Sequence, residues 1–344
     1  MAKRKKSPGR SKRGFAATKL NGYADRSSKV FSSAPLEGYG VGVNSKLKIE
    51  SEKENAMKKL FRIHQSSGMH WVGNGFPVRS VFDYNGLGRE LSPFLLLDYA
   101  APYQFPPGNE RRGVAGHPHK GFETVTVAYQ GELEHRDSSG GGGKIGAGDV
   151  QWMTAGNGVV HEEFHSQDFT RDGGTLQMVQ LWVNLRAKDK SAKAGYQTLL
   201  KAQIPNVALP QDAGTVRVIA GEYGGEKGPA KTFTPINVWD VNLRAGKSVE
   251  LPLPDGHTTT FLVLSGEVLV NGEKAANEGD LPIFARAGNG ITVQAKTDAK
   301  LLVMDGEPIA EPVVGHGPFV MNSRAEIQQA FEDYQLGRMG EIPG

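Results

Sequence analysis

Cysteine is absent from this 344-residue chain. That excludes disulfides, thiolate metal sites and a cysteine nucleophile, and it leaves histidine and carboxylate as the side chains able to hold a metal. Long apolar runs are absent as well. None approaches the roughly 18 to 20 residues that a membrane helix needs, and the basic start is not followed by the apolar stretch of a cleaved signal peptide. The chain is therefore expected to be soluble and cytoplasmic, with no membrane partner. Acidic residues are missing before Asp25. Residues 1–60 carry 15 Lys/Arg against 5 Asp/Glu, whereas residues 61–344 carry 25 against 32, so a net charge of +3 conceals a basic segment on an acidic body.

That segment has basic clusters at Lys3-Arg4-Lys5-Lys6 and at Arg10, Lys12 and Arg13, and few large apolar residues. It cannot bury enough apolar surface to offset its ordering entropy, so residues 1–60 are read as a disordered, solubilising arm. The other readings are weak electrostatic contact with nucleic acid or an anionic surface, and service as an organellar transit peptide.

What the sequence has in quantity is glycine, 45 residues with 19 prolines, scattered among short runs of Val, Leu, Phe and Thr. This texture predicts many short strands joined by turns, an all-β protein. An internal repeat predicts two β-barrels in tandem. Gly131-Glu132, Gly148-Asp149 and Ala155-Gly156-Asn157-Gly158 recur in order as Gly266-Glu267, Gly279-Asp280 and Ala287-Gly288-Asn289-Gly290. The expected division is a first barrel over residues 61–187, a second over 188–322, and a C-terminal helix and tail over 323–344. Ser323 with Glu326 forms a capping box, and Ile327, Ala330, Phe331 and Tyr334 follow at helical spacing up to Gly337.

Two segments carry chemistry. In Gly116-His117-Pro118-His119-Lys120-Gly121-Phe122-Glu123-Thr124-Val125-Thr126-Val127-Ala128-Tyr129, the second half alternates as a half-buried strand does. Continued back through Gly121 without a bulge, that period puts His117, His119 and Glu123 on one inward face. In Val159-Val160-His161-Glu162-Glu163-Phe164-His165, an extended chain puts His161, Glu163 and His165 on one face and Glu162 on the other. Imidazoles with a carboxylate suit Fe(II) first, then Mn, Ni, Cu or Zn, with open positions for water or substrate. His64, His70, His135, His257 and His316 are read as ordinary core or surface residues. The repeat separates site from scaffold: His117 and His119 fall opposite Pro252 and Pro254, and His161 and Glu163 opposite Val293 and Ala295. The second copy keeps the turns without these residues, so the fold does not need them.

At these residues the sequence resembles the pirin family of bicupins, proteins built of two cupin barrels. The resemblance rests on His117-Pro118-His119-Lys120-Gly121-Phe122-Glu123-Thr124-Val125 and on Gly156-Asn157-Gly158-Val159-Val160-His161-Glu162-Glu163. Asp149-Val150-Gln151-Trp152-Met153-Thr154-Ala155-Gly156, Leu181-Trp182-Val183-Asn184-Leu185 and His316-Gly317-Pro318-Phe319-Val320-Met321-Asn322 extend it over about residues 70 to 337. It implies one iron-like metal in the first barrel, none in the second, and His117, His119, His161 and Glu163 as ligands. It also implies two functions. One is a quercetin 2,3-dioxygenase-like enzyme acting with O₂ on a flavonol-like phenol. In such an enzyme Glu163, on loosening its metal bond, is the general base, and Trp152, Met153, Phe122 and Trp182 either line an apolar pocket or are plain core, the commoner place for such residues. The other is a non-catalytic, metal- or redox-responsive regulator that binds a transcription factor or metabolic enzyme.

Overall fold

Residues 56–66 and 68–343 are described by the computed structural model. The basic arm lies outside them as far as residue 55, and the last residues assigned to it belong to the folded body. Lys58 is fully buried and donates through Nζ to the carbonyls of His257 (3.2 Å) and Arg286 (2.7 Å), and Leu60 opens the first strand.

Glycine-rich turns cut the first half of the body into twelve strands: β1 (Leu60–Gln65), β2 (His70–Val72), β3 (Phe76–Phe82), β4 (Phe94–Phe105), β5 (Gly113–His119), β6 (Phe122–Gln130), β7 (Leu133–Asp137), β8 (Gly142–Ile145), β9 (Val150–Thr154), β10 (Val159–His165), β11 (Gly174–Asn184) and β12 (Gly195–Leu199). One antiparallel sheet runs β12-β9-β6-β11-β4-β3-β2, and a smaller one runs β5-β10-β7-β8. Phe76, Val78, Phe105, Leu133, Ile145 and Met178 fill the space between them.

The second half repeats the plan. A seven-stranded sheet contains Asp280–Phe284, Thr258–Ser265, Ala299–Gly306 and Ile236–Leu243, and a four-stranded sheet runs Ser248–Pro252, Gly290–Ala295, Glu267–Val270 and Lys274–Asn277. Two of the three turns that carried the repeat are equivalent in conformation: Gly131 and Gly266 have φ of +86° and +83°, and Gly148 and Gly279 have +94° and +84°, values open to glycine and costly for other residues. The two Ala-Gly-Asn-Gly turns differ, Gly156 having φ of +48° and Gly288 +112°. β1 departs from the expected division, because it pairs with Asp280–Phe284 and so belongs to the second barrel's sheet.

The two large sheets pack back to back. Val125, Val127, Val150, Trp152, Val179 and Leu181 from the first meet Ile219, Val238, Leu262, Leu264 and Leu302 from the second in one core. β6 is thereby buried on both faces. Val125, Val127 and Tyr129 face the other barrel, and Thr124, Thr126 and Ala128 face the interior of their own. The alternation read from the sequence is present, with polarity opposite to the usual hydrophobic-in pattern.

After the second barrel the chain returns to the first. Phe319 bridges Lys120, and helix Arg324–Gln335 buries Ile327 and Ala330 against Phe319, Met321 and Met339. Ser323 caps the helix as expected, its hydroxyl oxygen accepting from the Glu326 amide, while the Glu326 carboxylate reaches back to the Asn322 amide instead of the Ser323 amide that would close a full capping box. Among the described residues, no helix is long and apolar enough to cross a membrane.

Candidate metal centre

β5 and β10 are antiparallel neighbours, and their register sets His117 directly opposite His161, with His119 opposite Val159. Alternation then turns His117, His119 and His161 to one side, and their ligand nitrogens lie within 4.8 Å of one another. The ring centroid of His161 is 4.3 Å from that of His117 and 4.8 Å from that of His119. These three sequence-predicted residues come together.

Their hydrogen bonds define what each ring offers. His117 Nδ1 lies 2.9 Å from the Ala115 carbonyl, and His119 Nδ1 lies 3.3 Å from the Pro318 carbonyl. A carbonyl only accepts, so each Nδ1 carries the proton and, in the neutral ring, each Nε2 is a bare lone pair. His161 Nε2 is buried with no hydrogen-bond partner among the described residues. Burial holds the pKa of His119 and of His161 well below the ordinary histidine value, and the neighbouring imidazoles add to the effect. Both rings are neutral at physiological pH, the state a metal requires.

Glu163 enters after a bulge that shifts the β5–β10 register between His161 and Glu163. Its carboxylate groups with His161 and with His135. Oε1 accepts from the Gln151 amide and from Thr126 Oγ1, and Oε2 accepts from Gln180 Nε2 at 2.8 Å. These donors come from the inward polar face of the large sheet. Beside His117 and Glu163 lies a cavity of about 30 Å³, walled by Val72, Phe76, Val78, Met178 and Gln180.

Other expectations are corrected. The period does not continue through Gly121: the chain turns there at φ +91°, β5 and β6 fall in different sheets, and Glu123 sits on the outer face of β6, accepting from Thr154 Oγ1 at 2.8 Å. His165 shares parity with His161 but is held elsewhere, its Nε2 bonded to the Gly75 carbonyl at 2.8 Å among Phe76, Phe105 and Phe169. Trp152 and Met153 take the plain-core reading: Trp152 belongs to the core between the barrels, and Met153 packs with Ala155 and Val159. Phe122 and Trp182 do stand by the site, stacked on each other at 4.2 Å with the His119 ring against both.

His135, read from sequence as ordinary, is buried within the cluster, opposite Glu163 on β7. The internal repeat held a signal for it. Counted forward from Gly131 and Gly266, His135 falls opposite Val270, an apolar core residue of the second barrel.

This site on a two-barrel scaffold can be set beside known proteins. A family model described as Pirin matches residues 75–183, and one described as the Pirin C-terminal cupin domain matches residues 238–340. The chain belongs to the pirin family. A Pseudomonas aeruginosa protein provisionally named a quercetin 2,3-dioxygenase is 56% identical to this pirin over 282 residues, 82% of this chain and 98% of its own. Human pirin is 38% identical over 257 residues, 73% and 84% of the two chains. A crystal structure of quercetin 2,3-dioxygenase from Acinetobacter baumannii, 53% identical, superposes with a TM-score of 0.81 over 84% of this chain and all of its own.

Proposed function

We propose that this pirin binds one divalent metal ion, Fe(II) ahead of Mn, Ni, Cu or Zn, through His117, His119, His161 and Glu163, and uses it as a dioxygenase on flavonol-like phenols. One observation carries the reading: two imidazoles anchored at Nδ1 by carbonyls stand beside a third whose buried Nε2 has no partner among the described residues, and a caged carboxylate is two residues away. Burying such a cluster without a ligand would be costly, and the donors are those of an open iron site. The names carried by the 56% and 53% identical relatives support the same chemistry.

A bound metal would supply Lewis acidity toward the phenol oxygen and a site for O₂. The chain's residues do the rest. Glu163 takes the phenol proton as general base on loosening its hold on the metal: Gln151 and Thr126 occupy Oε1, whereas Oε2 accepts, among the described residues, only from Gln180 and keeps a lone pair that can serve one or the other. Val72, Phe76, Val78 and Met178 exclude water from the reacting face. The test is oxygen uptake by the iron-loaded protein over a panel of flavonols, with Glu163→Gln beside it. Uptake that the variant loses is the expected result, and metal retention with no uptake on any flavonol refutes the enzyme.

One observation favours the regulatory reading. Sites for ligands of flavonol size run to about 300–1,000 Å³, and the cavity here has about 30 Å³. An enzyme must lift the β2–β3 hairpin that supplies Val72, Phe76 and Val78, and a regulator need not. Catalysis predicts that a flavonol protects this hairpin from hydrogen exchange, and regulation predicts that it does not.

A further inference from the structure

The three histidines differ in one respect. His117 and His119 present Nδ1 to backbone carbonyls, but His161 presents Nδ1 to another imidazole, His135 Nδ1, at 3.4 Å. Two facing ring nitrogens cannot both be bare, so one carries the hydrogen. The opposite side of His135 decides which. His135 Nε2 lies 3.1 Å from Asp137 Oδ2, and both side chains are almost completely buried.

We propose that His135 and Asp137 are positioning residues for His161, fixing its tautomer by a relay of hydrogen bonds. An ionised carboxylate only accepts, so His135 Nε2 carries the proton and donates to Asp137. In the neutral ring His135 Nδ1 is then a bare acceptor. His161 must donate to it from Nδ1, which leaves His161 Nε2 as the bare lone pair. That is the buried atom without a partner. His135 and Asp137 thus do for His161 what the carbonyls of Ala115 and Pro318 do for the other two rings, and the carboxylate at the far end adds electron density to the donor. The relay is itself held in place. His135 stacks on Tyr196 at 4.6 Å, Tyr196 donates to Gln151 Oε1, and Asp137 Oδ1 accepts from the amides of Ser139 and Gly141.

This inference rests on the metal reading of the preceding section. Its test titrates the apo protein with Ni(II) by calorimetry and counts imidazole ligands by X-ray absorption of the Ni(II)-loaded protein. Changing such an outer partner typically lowers metal affinity 10- to 100-fold. His135→Phe keeps the ring against Tyr196 but removes the acceptor, and is expected to weaken Ni(II) by that factor of about 10 to 100 while the imidazole count stays unchanged. His135→Gln returns an amide oxygen facing His161 and is expected to recover most of the loss. Asp137→Asn can turn its amide N–H toward His135 Nε2, reversing both bonds so that the proton sits on His161 Nε2, and is expected to weaken binding as His135→Phe does.

The pair at position 135 separates the relay from a packing role, since packing alone predicts that Phe binds at least as well as Gln. That outcome overturns the proposal, as does wild-type affinity in both His135→Phe and Asp137→Asn. Loss of one imidazole in His135→Phe overturns it as well, because His135 would then be a ligand. Wild-type protein that binds no Ni(II) instead refutes the ligand assignment beneath it.

Discussion

Replacing Glu123 distinguishes the structure from the simplest reading of the strand. Parity placed this carboxyl with His117 and His119, and the fold turns it toward the second barrel, where Thr154 Oγ1 is its hydrogen-bond donor. Burial pushes its pKa up from 4.5 to about 7, and the Thr154 bond offsets only part of that rise. The sign follows directly. Between pH 4.5 and 7 the native state keeps a proton that the unfolded chain has released, so stability falls as pH rises through that window and the full penalty is in force above pH 7. A gap of this size amounts to about 3 kcal/mol. Glutamine keeps the shape and the acceptor for Thr154 and has no proton to lose. Glu123→Gln is therefore expected to be about 3 kcal/mol more stable than wild type at pH 8 and to lie within about 0.5 kcal/mol of it near pH 4.5. Urea denaturation of the apo protein at the two pH values, followed by tryptophan fluorescence, measures the difference. Metal content after loading should not change. A variant that is no more stable at pH 8, or that loses its metal, refutes the reasoning.

Two further outcomes follow from the same geometry. His161→Gln should abolish stoichiometric metal binding, whereas His165→Gln, which keeps a donor for the Gly75 carbonyl, should leave metal content at the wild-type level; metal analysis of the purified variants decides. Lys120 Nζ and Asp333 Oδ2, 2.7 Å apart, tie the turn after His119 to the C-terminal helix, and this bond holds the Asp333 carboxyl down to about 2. A depressed carboxyl stabilises above its unfolded pKa and loses that contribution as pH falls through the folded one. With solvent screening at the rim, Asp333→Asn is expected to cost about 1 to 2 kcal/mol at pH 7 and about half of that at pH 3, measured by urea denaturation at each pH.

The proposed ligand histidines were legible because two local signals coincide at them, strand parity and the contrast with a second copy that keeps the turns and lacks the side chains. What local sequence does not contain is the corner at Gly121. A Cβ there would lie 2.1 Å from the Val320 carbonyl, so the turn that sends β5 and β6 into different sheets is set by a segment 200 residues away. The inversion of β6 has the same origin. Alternation gives the period of a strand, but which face is interior depends on what covers the other, and here the second barrel covers Val125 and Val127. Glu123 was misplaced for both reasons. His135 was passed over as a lone histidine because only the pairing of β7 with β10 brings it opposite Glu163.

The two barrels solve one packing problem in opposite ways. Where the second buries Val270, Val293 and Ala295, the first buries His135, His161 and Glu163 on the corresponding strands. The apolar version needs no partners, whereas each polar group costs several kcal/mol unless it is hydrogen-bonded. The fold supplies bonds from Gln151, Gln180, Thr126 and Asp137, and one from outside the barrel: Pro318, in the segment that returns from the second barrel, accepts from His119. Tyr84 donates to the neighbouring Gly317 carbonyl and stacks on Trp182, which packs against His119 in turn. The C-terminal segment is therefore part of what aims the ligands, although all four proposed ligands lie in the first barrel. That dependence gives a physical reason why an apolar second barrel and its return segment accompany a barrel that holds the whole proposed ligand set.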